Sequence, residues 1–203
     1  MNDFFSLLLD QIYQTTWLEA VAVFFGLLSV WYSKQENILV YPTGIVSVLI
    51  YIYITLEYKL YADMGINAYY FIMSVYGWYN WRHTNKAEVE QIPVTKNDRS
   101  ENHLSILFLV CAFLLIRWVL ITYTDSDVPN FDATTTAFAL VGMWLMAKKK
   151  IENWIAWIIT DIISVPLYLY KGLPFTAFQF LVFTVLATWG YFSWKRSLEA
   201  NKS

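Results

Sequence analysis

Residues 76–82 read Tyr-Gly-Trp-Tyr-Asn-Trp-Arg, and residues 189–195 read Trp-Gly-Tyr-Phe-Ser-Trp-Lys. The two stretches match position by position in residue type and lie 113 positions apart. A second similarity lies upstream, where Glu-Asn-Ile-Leu-Val-Tyr at 36–41 is matched 116 positions later by Glu-Asn-Trp-Ile-Ala-Trp at 152–157. Two copies of one unit in an apolar chain predict a duplicated membrane protein with a site between the copies, an arrangement typical of transporters.

The composition also indicates a membrane protein. Of the 203 residues, 58% are hydrophobic and 15% are charged, whereas a soluble domain carries about 25% charged residues. A net charge of -2 gives no support for a nucleic-acid partner. Residues 1–15 lack a basic n-region and a small-residue cleavage site, so we expect a short interfacial helix there rather than a cleaved signal peptide.

Seven stretches are long enough to cross about 30 Å of hydrocarbon. They are residues 16–33, 38–56, 60–81, 104–123, 131–147, 151–170 and 175–194. The similarities pair a first three-helix unit, residues 16–81, with a second, residues 131–194, and leave 104–123 as a linker helix. The sequence therefore predicts an all-α membrane protein with seven transmembrane helices in a 3+1+3 parallel repeat. Residues 82–103 are predicted to form a polar loop, and residues 195–203 a tail.

The basic residues predict how the chain is oriented. Eleven of the fourteen lie on the side of the 82–103 loop, and only Lys59 and Lys171 lie on the other side. The remaining one, Arg117, falls inside the fourth span and is interpreted as a structural counter-ion. Because bases concentrate in cytoplasmic loops, we expect the N-terminus outside and both the 82–103 loop and the C-terminus in the cytoplasm.

Polar and aromatic side chains in the sixth span share one face. Trp154, Trp157, Asp161, Ser164 and Tyr168 are spaced three, four, three and four residues apart, which places them on one helical stripe. Charged groups at membrane depth usually face a bundle interior or a water-filled cavity. The stripe therefore predicts the wall of an aromatic-lined cavity. The alternative is an interfacial aromatic belt with a structural aspartate that pairs with Arg117.

The third and seventh spans offer further polar residues at membrane depth. Asn67 and Tyr70 lie on one face of the third span, and Gln179 lies in the seventh. Asn67 and Gln179 are one position apart when the copies are aligned, so each copy is expected to supply an amide at similar depth. Such amides suit ribose hydroxyls or a carboxamide, although hydrogen bonding between helices is an alternative. Tryptophans beside a carboxylate favour a flat cationic ligand.

Three motifs in this chain resemble the PnuC family of vitamin transporters. They are Glu152-Asn153-Trp154-x-x-Trp157-x-x-x-Asp161, Leu167-Tyr168-x-Tyr170-Lys171-Gly172-Leu173 and Tyr76-Gly77-Trp78-x-x-Trp81, within a likeness that extends from Trp17 to Trp194. The resemblance implies a SWEET-like homotrimer in a bacterial inner membrane that mediates facilitated diffusion of nicotinamide riboside for NAD biosynthesis. It implies trapping by a cytoplasmic vitamin kinase and no cofactor. It also implies a binding role for Asn153, Trp154 and Trp157.

Other functions stay open at this point. Other members of the family carry thiamine or riboflavin, and thiamine is also a flat cation with a hydroxyl tail. A membrane sensor that binds its ligand without moving it is a second possibility. An enzyme is disfavoured because His83 and His103 form no metal-ligand cluster with Cys or Glu, and no Ser/His/Asp set falls at membrane depth. We therefore predict neither a catalytic site nor a metal site.

The differences between the two copies indicate where the site lies. The 116-residue alignment places Trp154, Trp157 and Asp161 opposite Ile38, Tyr41 and Ile45. The doubled glycine–tryptophan endings are then framework, and the chemistry is expected where Trp154, Trp157 and Asp161 break the symmetry.

Overall fold

Seven α-helices follow one another along residues 16–82 and 92–200, the part of the chain that this computed structural model describes. They are α1 (Trp17–Lys34), α2 (Val40–Glu57), α3 (Tyr61–Arg82), α4 (Arg99–Tyr123), α5 (Pro129–Ala147), α6 (Glu152–Tyr170) and α7 (Pro174–Ala200). The all-helical prediction is confirmed. The interfacial helix predicted for residues 1–15 and the loop residue His83 lie outside the described residues.

The helices differ in how apolar they are. Within the described residues, α2, α4, α6 and α7 are long and apolar enough to cross a membrane. The other three have comparable lengths but carry more polar residues, such as Asp63 and Asn67 in α3. Two helices also outrun their predicted spans, because α4 begins at Arg99 and α7 continues to Ala200.

Local hydrogen bonds determine where α4 begins. Asp98 Oδ1 accepts a bond from the backbone N–H of Glu101 at 2.7 Å, and the backbone N–H of Asp98 donates to Glu101 Oε2 at 3.0 Å, which forms a capping box. Just before this cap, Thr95 exchanges backbone hydrogen bonds with Lys149 and Ile151. Residues 92–98 therefore lie across the turn between α5 and α6.

The helices pack as two similar sets. In the first set α1 contacts α2 and α2 contacts α3, while in the second α5 contacts α6 and α6 contacts α7. Two contacts join the sets, α3 with α5 and α1 with α7. The helix between them, α4, packs only on α5 among the described helices, and its Arg117 Nε donates to Asn130 Oδ1 at 2.7 Å. The alternative pairing of Arg117 with Asp161 is therefore wrong.

Backbone turns correspond between the two sets at an offset of 113 residues. Glu36 and Lys149 have φ values of 56° and 55°, and Lys59 and Gly172 have φ values of 58° and 71°. These four are all the described residues in the left-handed region. Each lies in the short turn before the next helix, so each fixes where that helix begins.

This offset corrects the alignment of the upstream similarity. At 113 residues Trp154 corresponds to Tyr41, Trp157 to Gly44 and Asp161 to Val48. The alignment at 116 residues, which opposed Trp157 to Tyr41, is wrong. The similar residue types around Glu36 and Glu152 are 116 positions apart, three more than the turns. The residues in the left-handed region therefore determine which positions of the two sets correspond.

Four aromatic side chains close one end of the bundle, and we call Tyr41, Trp81, Trp154 and Trp194 the tryptophan plug. Tyr41 meets Trp81 edge to face with ring centroids 5.1 Å apart, and Trp154 meets Trp194 in the same way at 5.5 Å. Trp81 and Trp194 lie 5.9 Å apart and connect the two sets. All four residues are buried, with at most 2% of their surface exposed. Rings at such distances attract one another beyond simple burial.

Reciprocal hydrogen bonds tie the plug to both sets. The indole N–H of Trp81 donates to the carbonyl of Met146 at 3.2 Å, and that of Trp194 donates to the carbonyl of Ser33 at 2.8 Å. Ser33 and Met146 are themselves 113 residues apart and in contact, Oγ to Sδ at 3.5 Å. Each set therefore supplies a tryptophan that satisfies a carbonyl near the end of the first helix of the other set.

An ion pair lies against the plug. Lys149 Nζ is 3.1 Å from Glu36 Oε2 and 4.7 Å from the centre of a Trp81 ring. Burial lowers the pKa of Lys149, and the charge of Glu36 opposes that change. The pair joins the turn after α1 to the turn after α5, so it adds a charged contact to the aromatic ones between the sets.

Two glycines make room for the plug, and they generate a test. A Cβ at Gly77 would lie 2.5 Å from the Tyr41 ring, and one at Gly190 would lie 2.5 Å from the Trp154 ring. We predict that Gly77→Ala and Gly190→Ala each lower stability by about 1–3 kcal/mol through overpacking. Denaturation of the detergent-purified protein measures the change.

Gly65→Ala is the matched control. Gly65 lies in the same helix as Gly77, and a Cβ at Gly65 would have no atom within 4 Å. It should leave stability unchanged or raise it by up to about 1 kcal/mol, because alanine favours the helix. Equal stability of Gly190→Ala and the unsubstituted protein would show that the plug does not depend on this close packing.

Candidate functional site

A cavity of about 430 Å³ lies between the two helix sets, next to the tryptophan plug. Six helices contribute to its wall, and α4 does not. The structure brings eight of the nine candidate residues to this wall: Asn67, Tyr70, Trp154, Trp157, Asp161, Ser164, Tyr168 and Gln179. The volume is within the range of small-molecule sites.

Asn153 is the exception among the candidates. Its side chain is fully buried, does not line the cavity, and donates from Nδ2 to the Lys150 carbonyl at 2.6 Å. Its Oδ1 has no hydrogen-bond partner among the described residues. Asn153 comes one position before Trp154, and adjacent helical residues point about 100° apart. The structure therefore places Asn153 at the start of α6 and not in the cavity wall.

The indole of Trp157 lines the cavity and packs closely against its neighbours. A Cβ at Gly142 of α5 would lie 3.1 Å from the indole, so this glycine leaves the room that the ring occupies. The ring of Tyr70 on α3 contacts the Trp157 ring, with centroids 6.3 Å apart. Trp157 itself remains partly exposed. The side chain is thus held by both helix sets and still offers aromatic surface to a ligand.

Asp161 is a buried carboxylate on the same stripe. It is 4% exposed, and no described base pairs with it. The ion pairs in this part of the chain join Lys148 and Lys150 to Glu101, Lys149 to Glu36, and Lys171 to Asp132. A charge taken out of water without a partner is costly. The cavity is therefore electrostatically suited to a positively charged ligand.

The end of the cavity opposite the plug has an aromatic stack and an ion pair. Tyr168 stacks on Phe180 with ring centroids 5.1 Å apart and planes inclined by 15°. Lys171 Nζ lies 2.6 Å from Asp132 Oδ1 and 5.7 Å from the centre of the Tyr168 ring. This pair joins the turn after α6 to the beginning of α5.

The two amides lie on the wall from opposite sets. Asn67 donates from Nδ2 to the Asp63 carbonyl of its own helix at 2.9 Å. Gln179 is partly buried and also lines the cavity. An amide has both a donor group and an acceptor oxygen, so bonding within α3 leaves Asn67 able to accept from a ligand.

The sequence stripes missed one wall of the cavity. This wall is built from small or hydroxyl-bearing residues of α1 and α2 and includes Gly26, Ser29, Ser33, Gly44, Ser47 and Tyr51. None of these residues is conspicuous at membrane depth, so composition did not single them out. The structural offset of 113 residues relates them to the predicted stripe, since Gly44 corresponds to Trp157 and Tyr51 to Ser164.

Tyr41 is a further lining residue that sequence reasoning missed. Its hydroxyl and the indole N–H of Trp154 are buried and have no hydrogen-bond partner among the described residues. The two residues correspond at 113 residues and both line the cavity. Buried polar groups of this kind are rare in folded proteins. The closed plug therefore holds two unsatisfied donors, one from each helix set.

Comparisons with known proteins point to one family. The family described as "Nicotinamide mononucleotide transporter" matches residues 16–196. The nicotinamide riboside transporter PnuC of Escherichia coli (strain K12) is 25% identical over 215 residues, covering 94% of this chain and 90% of that protein. The riboflavin/roseoflavin transporter RibM of Streptomyces davaonensis is 25% identical over 180 residues, covering 88% and 84%.

A solved structure shows the same fold. It is described as the crystal structure of the vitamin B3 transporter PnuC and superimposes with a TM-score of 0.72 at 24% identity. The match covers 97% of this chain and 90% of that one.

The unsatisfied hydroxyl of Tyr41 leads to a prediction about stability. Tyr41→Phe removes a buried donor that has no partner, so the ligand-free protein should be unchanged or more stable. Tyr69→Phe is the matched control, because the Tyr69 hydroxyl donates to the Leu140 carbonyl at 2.9 Å. Losing that bond should cost about 1–3 kcal/mol. Thermal melting of both variants tests this, and a Tyr41→Phe that is as unstable as Tyr69→Phe would contradict it.

Proposed function

The chain belongs to the nicotinamide mononucleotide transporter family, which includes the PnuC proteins, and from this premise we propose that it carries nicotinamide riboside by facilitated diffusion. Membership makes it a multi-pass protein of a bacterial inner membrane, and a transporter rather than an enzyme. The observation that carries the substrate proposal is the pairing of a partly exposed Trp157 with an unpaired, buried Asp161 in one cavity.

These two side chains favour a flat cation. Trp157 offers a π surface for stacking and cation–π attraction, and Asp161 supplies the opposite charge. Nicotinamide riboside has a positively charged pyridinium ring, which meets both requirements. We propose that the ring lies against Trp157 with its charge directed toward Asp161.

The polar appendage of the substrate needs hydrogen-bonding groups. Asn67, Gln179 and Ser164 line the same cavity and can donate or accept. We propose that they bind the carboxamide and the ribose hydroxyls, and that Tyr70, Trp154 and Tyr168 complete the aromatic wall. Asn153, which donates to the Lys150 carbonyl, would position the start of α6 rather than contact the substrate.

We propose that the fold is a 3+1+3 parallel repeat. The left-handed turns, the edge-to-face ring pairs and the reciprocal indole bonds all recur at an offset of 113 residues. The contacts of α3 with α5 and of α1 with α7 are related in the same way. Residues 16–81 and 131–194 are then the repeat units, and α4 is the linker that gives both units the same orientation.

The orientation of the repeat assigns roles to the two ends of the cavity. We propose that the plug end, with the basic residues of the α5–α6 turn, faces the cytoplasm, and that the N-terminus is outside. The tryptophan plug is then the inner gate, and the Lys171–Asp132 pair lies at the outer mouth. Alternating access would require the reciprocal indole bonds at the plug to open.

Two further parts of the proposal rest on the family resemblance. A cytoplasmic vitamin kinase would trap the arriving substrate by adding phosphate, which makes uptake one-way without an ion gradient. The protein would act as a homotrimer. The exposed apolar surface of α4, where Ala112 is the only buried residue, leaves room for contact with lipid or with other subunits.

A different vitamin is the second candidate. The riboflavin/roseoflavin transporter RibM matches this chain as closely in identity as the nicotinamide riboside transporter does. Thiamine, a flat cation with a hydroxyl tail, fits the Trp157–Asp161 pairing as well. A sensor that binds without transport would use the same cavity but would give no flux.

Reconstituted uptake distinguishes these candidates. We predict saturable entry of radiolabelled nicotinamide riboside into liposomes without any ion gradient. Trp157→Ala and Asp161→Asn should each lower uptake at least about tenfold, since each removes a major contact to the cationic ring. Thiamine and riboflavin are measured in parallel.

The controls make each outcome informative. Trp17→Ala removes a tryptophan that is 76% exposed and should leave uptake unchanged. Binding without flux would replace the transporter with the sensor, and saturable flux of thiamine or riboflavin alone would change the vitamin. Accumulation against a gradient in kinase-free vesicles would rule out facilitated diffusion.

Labelling of introduced cysteines tests the orientation. In a Cys111→Ser background, Asp127→Cys lies in the exposed turn between α4 and α5, and Lys195→Cys is exposed near the plug end of α7. We predict that an impermeant maleimide added to whole cells, through a permeabilised outer membrane where one is present, labels Asp127→Cys and not Lys195→Cys. The reverse pattern would invert the proposed topology and move the plug to the outer face.

A further inference from the structure

The two helix sets differ sharply at one pair of corresponding positions. In the second set, Trp157 of α6 occupies the space beside Gly142 of α5. At the offset of 113 residues, the first set has Gly44 of α2 beside Ser29 of α1. A tryptophan in the second set thus corresponds to a glycine in the first.

The contacts confirm that the two pairs are structurally equivalent. A Cβ at Gly142 would lie 3.1 Å from the Trp157 ring, and a Cβ at Gly44 would lie 3.0 Å from Ser29 Oγ. Ser29 Oγ is itself occupied, because it donates to the Val40 carbonyl at 2.8 Å. Both Gly44 and Ser29 line the cavity. The first set therefore has only a serine side chain beside the glycine, at the position where the second set has an indole beside the glycine.

We propose that Gly44 and Ser29 form a slot that receives the planar ring of the substrate and limits its width. We call these two residues the Gly44 slot. The proposal rests on the proposed transport function and adds a specificity-determining element on the wall opposite to Trp157. The ring of the ligand then has the Trp157 indole on one side and the Gly44 slot on the other.

A third residue completes the slot by the same correspondence. Tyr70 of α3 contacts the Trp157 ring with centroids 6.3 Å apart. The residue at 113 positions from Tyr70 is Phe183 of α7, which also lines the cavity. Phe183 is therefore placed to face a ring in the Gly44 slot, as Tyr70 faces the Trp157 indole. Aromatic pairs of this kind favour planar ligands.

The charge distribution orients the ligand in the slot. Asp161 lies on α6 one turn beyond Trp157, whereas the corresponding residue of α2 is Val48. Val48 lines the cavity and offers no charge. The Gly44 slot therefore takes the edge of the planar ring that is turned away from Asp161.

Transplanting the pair from the second set into the first tests the slot. Ser29→Gly with Gly44→Trp recreates the Gly142–Trp157 pair, which this fold already accommodates, so the double variant should fold. We expect nicotinamide riboside uptake to fall at least about tenfold, because the indole fills the ring site. Melting temperature and detergent gel filtration check folding, and Gly65→Ala is the control with unchanged uptake.

A milder variant keeps the test decisive if the indole prevents folding. Ser29→Gly with Gly44→Ala adds one methyl group to the slot while relieving the contact with Ser29. We expect affinity for nicotinamide riboside to fall roughly tenfold, within the range for one methylene in a pocket. Any flux of riboflavin, which has a wider ring system, should fall further.

The outcomes separate this inference from the proposed function. Folded double variants that transport like the unsubstituted protein would overturn the slot and leave the transporter intact. If the unsubstituted protein carries none of the three vitamins, the proposed function fails first. Loss of uptake in both double variants with normal melting temperatures would support the slot.

Discussion

The reciprocal indole bonds between the two helix sets are the constraint on which the remaining structure depends. Trp81 and Trp194 each donate to a carbonyl of the opposite set. Tyr41 packs edge to face on Trp81, and Trp154 packs on Trp194 in the same way. Because these rings meet where the sets touch, they close one end of the bundle and leave the space behind them open. The result is a cavity that is bounded at one end by the hydrogen-bonded tryptophan plug.

The sequence predicted those features that have a strong local signal. The all-helical fold follows from long apolar stretches, and the cavity-lining stripe of Trp157 and Asp161 follows from helical periodicity. The 113-residue offset was visible in the doubled endings at 76–82 and 189–195, but its extension to the turns was not predicted, because the turns depend on left-handed residues such as Lys149 that have no distinctive side chain. Asn153 lies outside the cavity wall, which the family motif could not indicate because a motif does not say which way each of its residues points.

The small-residue wall of α1 and α2 could not be predicted for a related physical reason. Glycine and serine at membrane depth are common wherever helices pack closely, so Gly44 and Ser29 carry no signal of their own. Their meaning emerges only by comparison with Trp157 and Gly142, which requires the correct alignment of the two sets. Near-symmetry of the framework thus makes each departure from symmetry interpretable as part of the site.

In the proposed function, the unpaired Asp161 explains why the cavity favours a cationic ligand. A buried carboxylate with no protein base keeps a desolvation cost that a cationic ring offsets only while it is bound. Tyr41 and Trp154 add a second imbalance, since the closed plug leaves one donor of each unsatisfied. Water or ligand can satisfy these donors when the plug opens, which lowers the cost of opening. The proposed facilitated diffusion would depend on such a low cost of opening, because both states of the carrier must then be nearly equally accessible.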